Sequence, residues 1–118
     1  MYSSFEDLEV WQRSCNLAVR VYEILNGCRD FGLRDQMTRA AVSVASNIAE
    51  GAERDSVAEY IRFLHIAKGS AAELRTQLII AARIGAVPED IKQTLTDELI
   101  MISRQLHGLI MYLKTKKI

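Results

Sequence analysis

The chain has little of what breaks a helix: one proline and six glycines in 118 residues. Long helices joined by short connections follow, since these two residues most often end or kink them. Only two cysteines are present, Cys15 and Cys28. They stand thirteen residues apart on one predicted helix, roughly 20 Å along its axis. A disulfide spans far less, so a bridge within one chain is excluded and reduced thiols of a cytoplasmic protein are expected. Neither sign of charge is in excess: fifteen basic and fifteen acidic residues give a formal net charge of +0. That balance argues against a strongly basic, non-specific nucleic-acid binder, so any such site must come from local clustering. No apolar run approaches the roughly 20 residues of a membrane span. The opening MYSSFEDLEVWQ lacks a basic region followed by an apolar run, so no secretory signal and no membrane partner are expected.

What is present is apolar content, 49% of residues, arranged at helical spacing. On helix one, Leu8, Trp11, Cys15, Ala18, Tyr22 and Leu25 step as a heptad seam, with Leu17, Val21, Ile24 and Cys28 as a second row. Ser4 with Asp7, or Ser3 with Glu6, offers its start, and Asn26-Gly27 its end. Helix two, about Leu33 to Glu50, carries a mostly alanine stripe: Met37, Ala40, Ala41, Val44, Ala45, Ile48 and Ala49. Gly51 is expected to close it as a left-handed cap. Ser56 and Glu59 have capping-box spacing and open helix three, which runs to about Ile84. Its inward stripe is Val57, Ile61, Leu64, Ala67, Ala71, Leu74, Leu78 and Ala81, with Phe63, Ile66, Ile80 and Ile84 in a row to one side. Gly69, costly inside a helix, is expected to mark a close crossing. Gly85 and Pro88 form an end-and-restart pair. Helix four buries Ile91, Leu95, Leu99, Ile102, Leu106, Leu109 and Leu113, broadened by Met101, Ile110 and Tyr112. The expectation is one domain, residues 1–118: an all-α, antiparallel up-down-up-down four-helix bundle. The second apolar rows exceed what one small bundle can hide, so a homo-oligomer is expected.

Catalytic and metal signatures are missing. A di-iron bundle site needs Glu-x-x-His pairs, but Arg62 and Arg104 stand three positions before His65 and His107. Lys68-Gly69-Ser70 lacks the order and the strand context of a phosphate loop. None of Ser43, Ser46 and Ser70 has a lysine or histidine at helical spacing to activate it. The reading is no enzyme, no metal and no cofactor. Counting outward from the turn places Gln36 and Arg39 level with Ser70 and Glu73, so Arg39, Gln36, Ser70, Glu73 and Gln77 are expected to form a register-fixing polar cluster between helices two and three. Asn47 and Glu50, beside Gly51 and Arg54, are read as capping and turn-fixing residues. For phosphate contacts the candidates are Arg13 and Arg20 on one face of helix one, Lys68 and Arg75 on one face of helix three, and Arg104, Lys114, Lys116 and Lys117 in an acid-free final stretch. Repeated around a symmetric assembly, such patches would make a band of positive potential.

Three stretches carry a family resemblance: Gln36 to Gly51 (QMTRAAVSVASNIAEG), Tyr60 to Leu64 (YIRFL) and Ala67 to Leu74 (AKGSAAEL), with Phe5 to Trp11 (FEDLEVW) fitting the same pattern. The chain resembles the bacterial four-helix-bundle proteins encoded within intervening sequences of 23S ribosomal RNA genes. The resemblance implies an up-down-up-down bundle assembled as a ring-like homopentamer, and ribosomal RNA as a partner. Where that family has a hydroxyl residue leading into helix two, this chain has Gly32-Leu33-Arg34 before Asp35. A more distant similarity is to the accessory variability determinant of diversity-generating retroelements, associated with reverse transcriptase and nucleic acid.

Two functions of different class follow. One is a non-catalytic assembly that holds structured RNA or other nucleic acid through Arg and Lys contacts to phosphate, without an aromatic platform. The other is a protein-interaction scaffold that docks a polymerase or a ribosomal protein and touches no nucleic acid.

Overall fold

The computed structural model describes residues 4–116. A short 3-10 turn, Phe5–Asp7, leads into four helices: α1 Glu9–Ile24, α2 Phe31–Ala52, α3 Val57–Arg83 and α4 Glu89–Lys114. No strand occurs among the described residues. All four helices contribute to one apolar core, in which Leu64, Leu74, Leu95, Ile102 and Leu106 are completely inaccessible. Each such side chain contributes roughly 1.5–3 kcal/mol by leaving water.

The helix ends are set by local chemistry. Ser4 accepts from the amide of Glu6, but it starts the 3-10 turn, and α1 proper begins only at Glu9 after extended Leu8. The start of α2 comes two residues before the expected Leu33. Asp30 caps it, its carboxylate accepting from the Leu33 amide at 3.1 Å, and this supplies the cap that the Gly32-Leu33-Arg34 segment lacks. Ser56 caps α3 through the Glu59 amide. The Glu59 carboxylate does not complete the box, because it takes the Arg62 guanidinium at 3.1 and 3.2 Å instead. At the far end of α3, the Ala86 amide donates to Ala81 and that of Gly85 to Ala82, with Gly85 at φ 78. This is the Schellman arrangement, which needs a residue tolerant of left-handed backbone. Pro88 is the cap of α4 rather than its first residue.

Neither of two glycines has the role expected of it. Gly51 is not a left-handed cap; it lies inside the last turn of α2, buried. A Cβ there would stand 2.7 Å from the Phe63 Cβ and 3.2 Å from the Tyr60 carbonyl oxygen. The close crossing of α2 and α3 is therefore at Gly51. Gly69 is exposed, with nothing within 4 Å of the Cβ position.

Helix one also buries a different face from the heptad seam. Val10, Ser14, Leu17, Val21 and Leu25 enter the core, with Ala18 beside them. Of the expected second row Leu17 and Val21 are buried, whereas Ile24 and Cys28 are half-buried; of the seam Ala18 and Leu25 are buried, Trp11 and Cys15 half-buried and Tyr22 55% exposed. Ser14 enters because its hydroxyl donates to the Val10 carbonyl at 2.7 Å, leaving no polar atom unpaired. On α4, Ile110 is buried more deeply than Leu109. The stripes on α2 and α3 are buried as read, with Ala49 and Val57 at their margins.

Candidate functional site

The cationic candidates do not form one patch. Arg13 is tied to acids, reaching Glu9 at 3.3 Å and Glu98 at 3.6 Å. Arg20 is exposed and shares the hollow between α1 and α4 with Arg13, Asn16 and Glu98. Lys116 lies over the Tyr112 ring, 5.1 Å from its centroid. Lys117 lies outside the described residues.

Lys68, Arg75, Arg104 and Lys114, like Arg20 and Lys116, differ from Arg13. None takes part in an ion pair among the described residues. Arg75 overlooks a hollow of about 300 Å³ between α3 and α4, lined also by Ala71, Ala72, Thr76, Ile79, Leu99 and Ser103. No carboxylate lines it. Local sequence explains why: α3 has Glu59 and Glu73 as its only acids, and α4 has none after Glu98. Glu73 falls on the other side of α3, where Gln77 donates to it at 3.5 Å. Lys68 stands two turns before Arg75 on the same face, about 10 Å away along the axis. Lys114 repeats the Ser103 direction after three turns, and Arg104 follows Ser103 directly. The alanines give the hollow a shallow floor. The Thr76 hydroxyl donates to the Ala72 carbonyl at 2.9 Å, which leaves its lone pairs outward. The hollow thus offers an unneutralised guanidinium and the Ser103 hydroxyl as donors, over a small apolar floor. That donor set suits phosphodiester oxygens.

The polar cluster expected between α2 and α3 is divided. Ser70 meets Ser43, oxygen to oxygen at 2.8 Å. Asn47 donates to both the Ser43 carbonyl at 2.8 Å and its hydroxyl at 2.9 Å. Ser43, Asn47 and Ser70 therefore make the actual ladder, and Ser43 was missing from the expected set. Glu73 and Gln77 pair with each other, and the buried Gln77 Oε1 has no partner. Gln36 and Arg39 are exposed and join neither group. The expected register was off by about one helical turn: Ser70 sits opposite Ser43, whereas counting outward from the turn had put it level with Arg39. Glu50 is exposed beside Glu53, Arg54, Ala49 and Phe5, at the end of α2. Arg54 and Arg62 both lie against the Phe63 ring, 4.6 and 4.8 Å from its centroid.

A further feature went unread in the sequence. Trp11, Cys15, Ala18, Val19 and Tyr22 of α1 face Val42, Ala45, Ser46 and Ala49 of α2 across an open apolar groove of about 440 Å³, closed at one end by Phe5. Phe5 packs edge-on against Trp11, with centroids 5.3 Å apart. The seam of helix one was the signal for it, assigned to the wrong side. Burial raises the Cys15 thiol above its ordinary pKa, and does the same to the Tyr60 phenol. The Arg62 hydrogen bond lowers Glu59. Among the described residues no group of three or more His, Cys, Asp or Glu side chains could hold a metal, and no helix is long and apolar enough to cross a membrane.

The helices, their caps and the alanine-rich α2–α3 packing define an all-α four-helix protein. Residues 6–108 match the sequence pattern of the 23S rRNA-intervening sequence protein, and the chain belongs to that family. Its fold is similar to a crystal structure of a protein of unknown function from the S23 ribosomal protein family of Bacteroides thetaiotaomicron VPI-5482. The two share 27% sequence identity at a TM-score of 0.81, over 86% of this chain and 97% of that one. No curated protein matches.

Proposed function

We propose that this chain is a non-enzymatic, homo-oligomeric nucleic-acid-binding protein of the cytoplasm, with ribosomal or other structured RNA as its partner. Its four helices run up-down-up-down. Supporting this, Ser43 pairs with Ser70 next to the Gly51 crossing, and Gln105 with Glu9 while Arg13 pairs with Glu98. Assembly is supported by apolar side chains left in solvent on one protomer: Val19, Tyr22, Ile66, Ile80, Ile84, Met101 and Tyr112, each 40% exposed or more. The proposed size is five, about 67 kDa for chains of 13.3 kDa.

The observation that carries the nucleic-acid reading is the α3–α4 hollow, with Arg75 unpaired over Thr76 and Ser103 and no carboxylate in its lining. Lys68, Arg104 and Lys114 extend it, and the ribosomal names of the family and of its structural relative agree with it. The test is fluorescence anisotropy with a structured RNA and a DNA duplex at two salt concentrations. Each phosphate contact contributes a slope of about −0.9 in log K against log salt, so three contacts weaken binding about 40-fold between 50 and 200 mM. Arg75→Glu should weaken binding at least tenfold and flatten that slope. No binding at 50 mM salt overturns the reading.

The α1–α2 groove favours a second reading, a scaffold that docks a polymerase or a ribosomal protein through apolar contact. Its affinity would survive the same change of salt.

A further inference from the structure

Two apolar surfaces of the protomer are uncovered, one concave and one convex. The concave one is the α1–α2 groove, with Ala18, Ala45 and Ala49 as its floor and Trp11, Tyr22 and Val42 as its walls. The convex one is a ridge on α4. Met101, Gly108 and Tyr112 follow one another at seven and four residues and so share a face; Met101 is 41% and Tyr112 57% exposed. From Trp11 to Tyr22, and from Met101 to Tyr112, the rise is the same, about 16 Å. Gly108 is open, with nothing within 4 Å of the Cβ position, so a facing helix could come close at the middle of the ridge. The exposed isoleucines of α3 make no comparable ridge, because Glu73 interrupts the row between Ile66 and Ile80.

Charge gives the pair a direction. Glu6 and Asp7 follow Phe5 at one end of the groove, and Glu50 and Glu53 stand with Arg54 beside Phe5 and Ala49 there, four acids to one base. The ridge ends in Lys116, exposed over the Tyr112 ring, and begins one turn after Asp97. Within one protomer the carboxylate of Glu9 accepts from Gln105, so the acidic end of the groove and the basic end of the ridge already lie towards the same end of the molecule. Copies that share one polarity therefore bring opposite charges together. Rotation about an axis parallel to the helices provides that polarity, whereas a two-fold axis across the helices would reverse it.

We infer that the groove receives the α4 ridge of a second copy of this chain, with its lysine end against the glutamates. The inference rests on the homo-oligomer proposed above and names the two surfaces that meet. Groove and ridge are different parts of one protomer, so the contact is heterologous, and each copy gives one surface and receives on the other. Repetition closes a ring. Lys68, Arg75 and the α3–α4 hollow stay outside the contact.

Cys15, native to the groove, makes the test direct. In a Cys28→Ala background, Met101→Cys and Gly108→Cys are each introduced, and the full chain is treated with a mild oxidant, with circular dichroism to check folding. The expected result for at least one of the two is a non-reducing ladder that extends past the dimer, stops at the ring number and vanishes when Cys15→Ser is added. A wild type that light scattering shows to be oligomeric, but whose variants give no Cys15-dependent bond or only dimers, overturns this contact and leaves the homo-oligomer standing. A wild type of 13.3 kDa in solution overturns both. As a second readout, Met101→Glu should drop the scattering mass of a folded chain to that of the protomer; an unchanged mass counts against the ridge.

Discussion

Gly51 and Gly69 should respond to alanine in opposite directions, although both lie within helices and both would gain the same helix propensity. In solvent-exposed helix, replacing glycine by alanine gains about 1 kcal/mol, largely by restricting the unfolded chain. At Gly69 nothing within 4 Å opposes the new methyl, so the whole gain should appear. For a domain near 118 residues that is a rise in Tm of about 4 °C. At Gly51 the methyl would meet the Phe63 Cβ at 2.7 Å and Tyr60 Cδ1 at 3.1 Å. The Phe63 contact is with a side-chain root, which cannot swing away without moving α3. Overpacking of this kind costs about 1–3 kcal/mol. After the propensity gain the net is a loss of up to about 2 kcal/mol, a fall in Tm of several degrees. Urea unfolding followed at 222 nm, at fixed protein concentration because assembly adds concentration dependence, measures both. A Gly51→Ala chain stabilised as much as Gly69→Ala, or a Gly69→Ala chain less stable than wild type, would refute the assignment of the close crossing to Gly51.

The Ser43–Ser70 contact should show a coupling energy of about 0.5–1.5 kcal/mol in a double-mutant cycle with alanine, read by the same unfolding curves; zero coupling would make the two hydroxyls independent of each other. Cys15 should alkylate slowly at neutral pH, because burial raises its thiol and only the thiolate reacts. The raised value favours the neutral thiol in the folded state, so this contribution to stability is complete below the unfolded thiol's pKa and is lost as pH rises through the folded one. Reaction with iodoacetamide across pH 7–10, with the modified residue located by mass spectrometry, checks the order; fast modification of Cys15 at pH 7 would contradict it.

Much of the architecture could be read from spacing alone, and its errors share a cause. Helices α2, α3 and α4 were legible because each carries one continuous stripe, beside which the side row of α3 and the broadening residues of α4 are sparse. In α1 two apolar rows compete. The heptad seam through Trp11, Cys15 and Tyr22 is the more hydrophobic in outline, but the row through Leu17, Val21 and Leu25 is the one the core accepts. Ser14 disguised it: a serine in the core row looks like an interruption until its hydroxyl is bonded back to Val10. The two glycines were misjudged for a similar reason. Sequence reports that a glycine is present, but whether its missing Cβ serves backbone conformation, close approach or neither depends on the facing helix. Only Gly85 needs left-handed backbone. The same limit applies to the candidate site. The acid-free stretches of α3 and α4 were visible, but that Arg75, Thr76 and Ser103 share one hollow, while Arg13 is spent on Glu9 and Glu98, follows from which helices are neighbours. Sequence spacing therefore fixed each helix's own faces and left the pairing of faces to the tertiary structure. The row misassigned on α1 is also the row that lines the groove. A second apolar row of that kind is what a helix needs when it has both a core and a neighbour to satisfy.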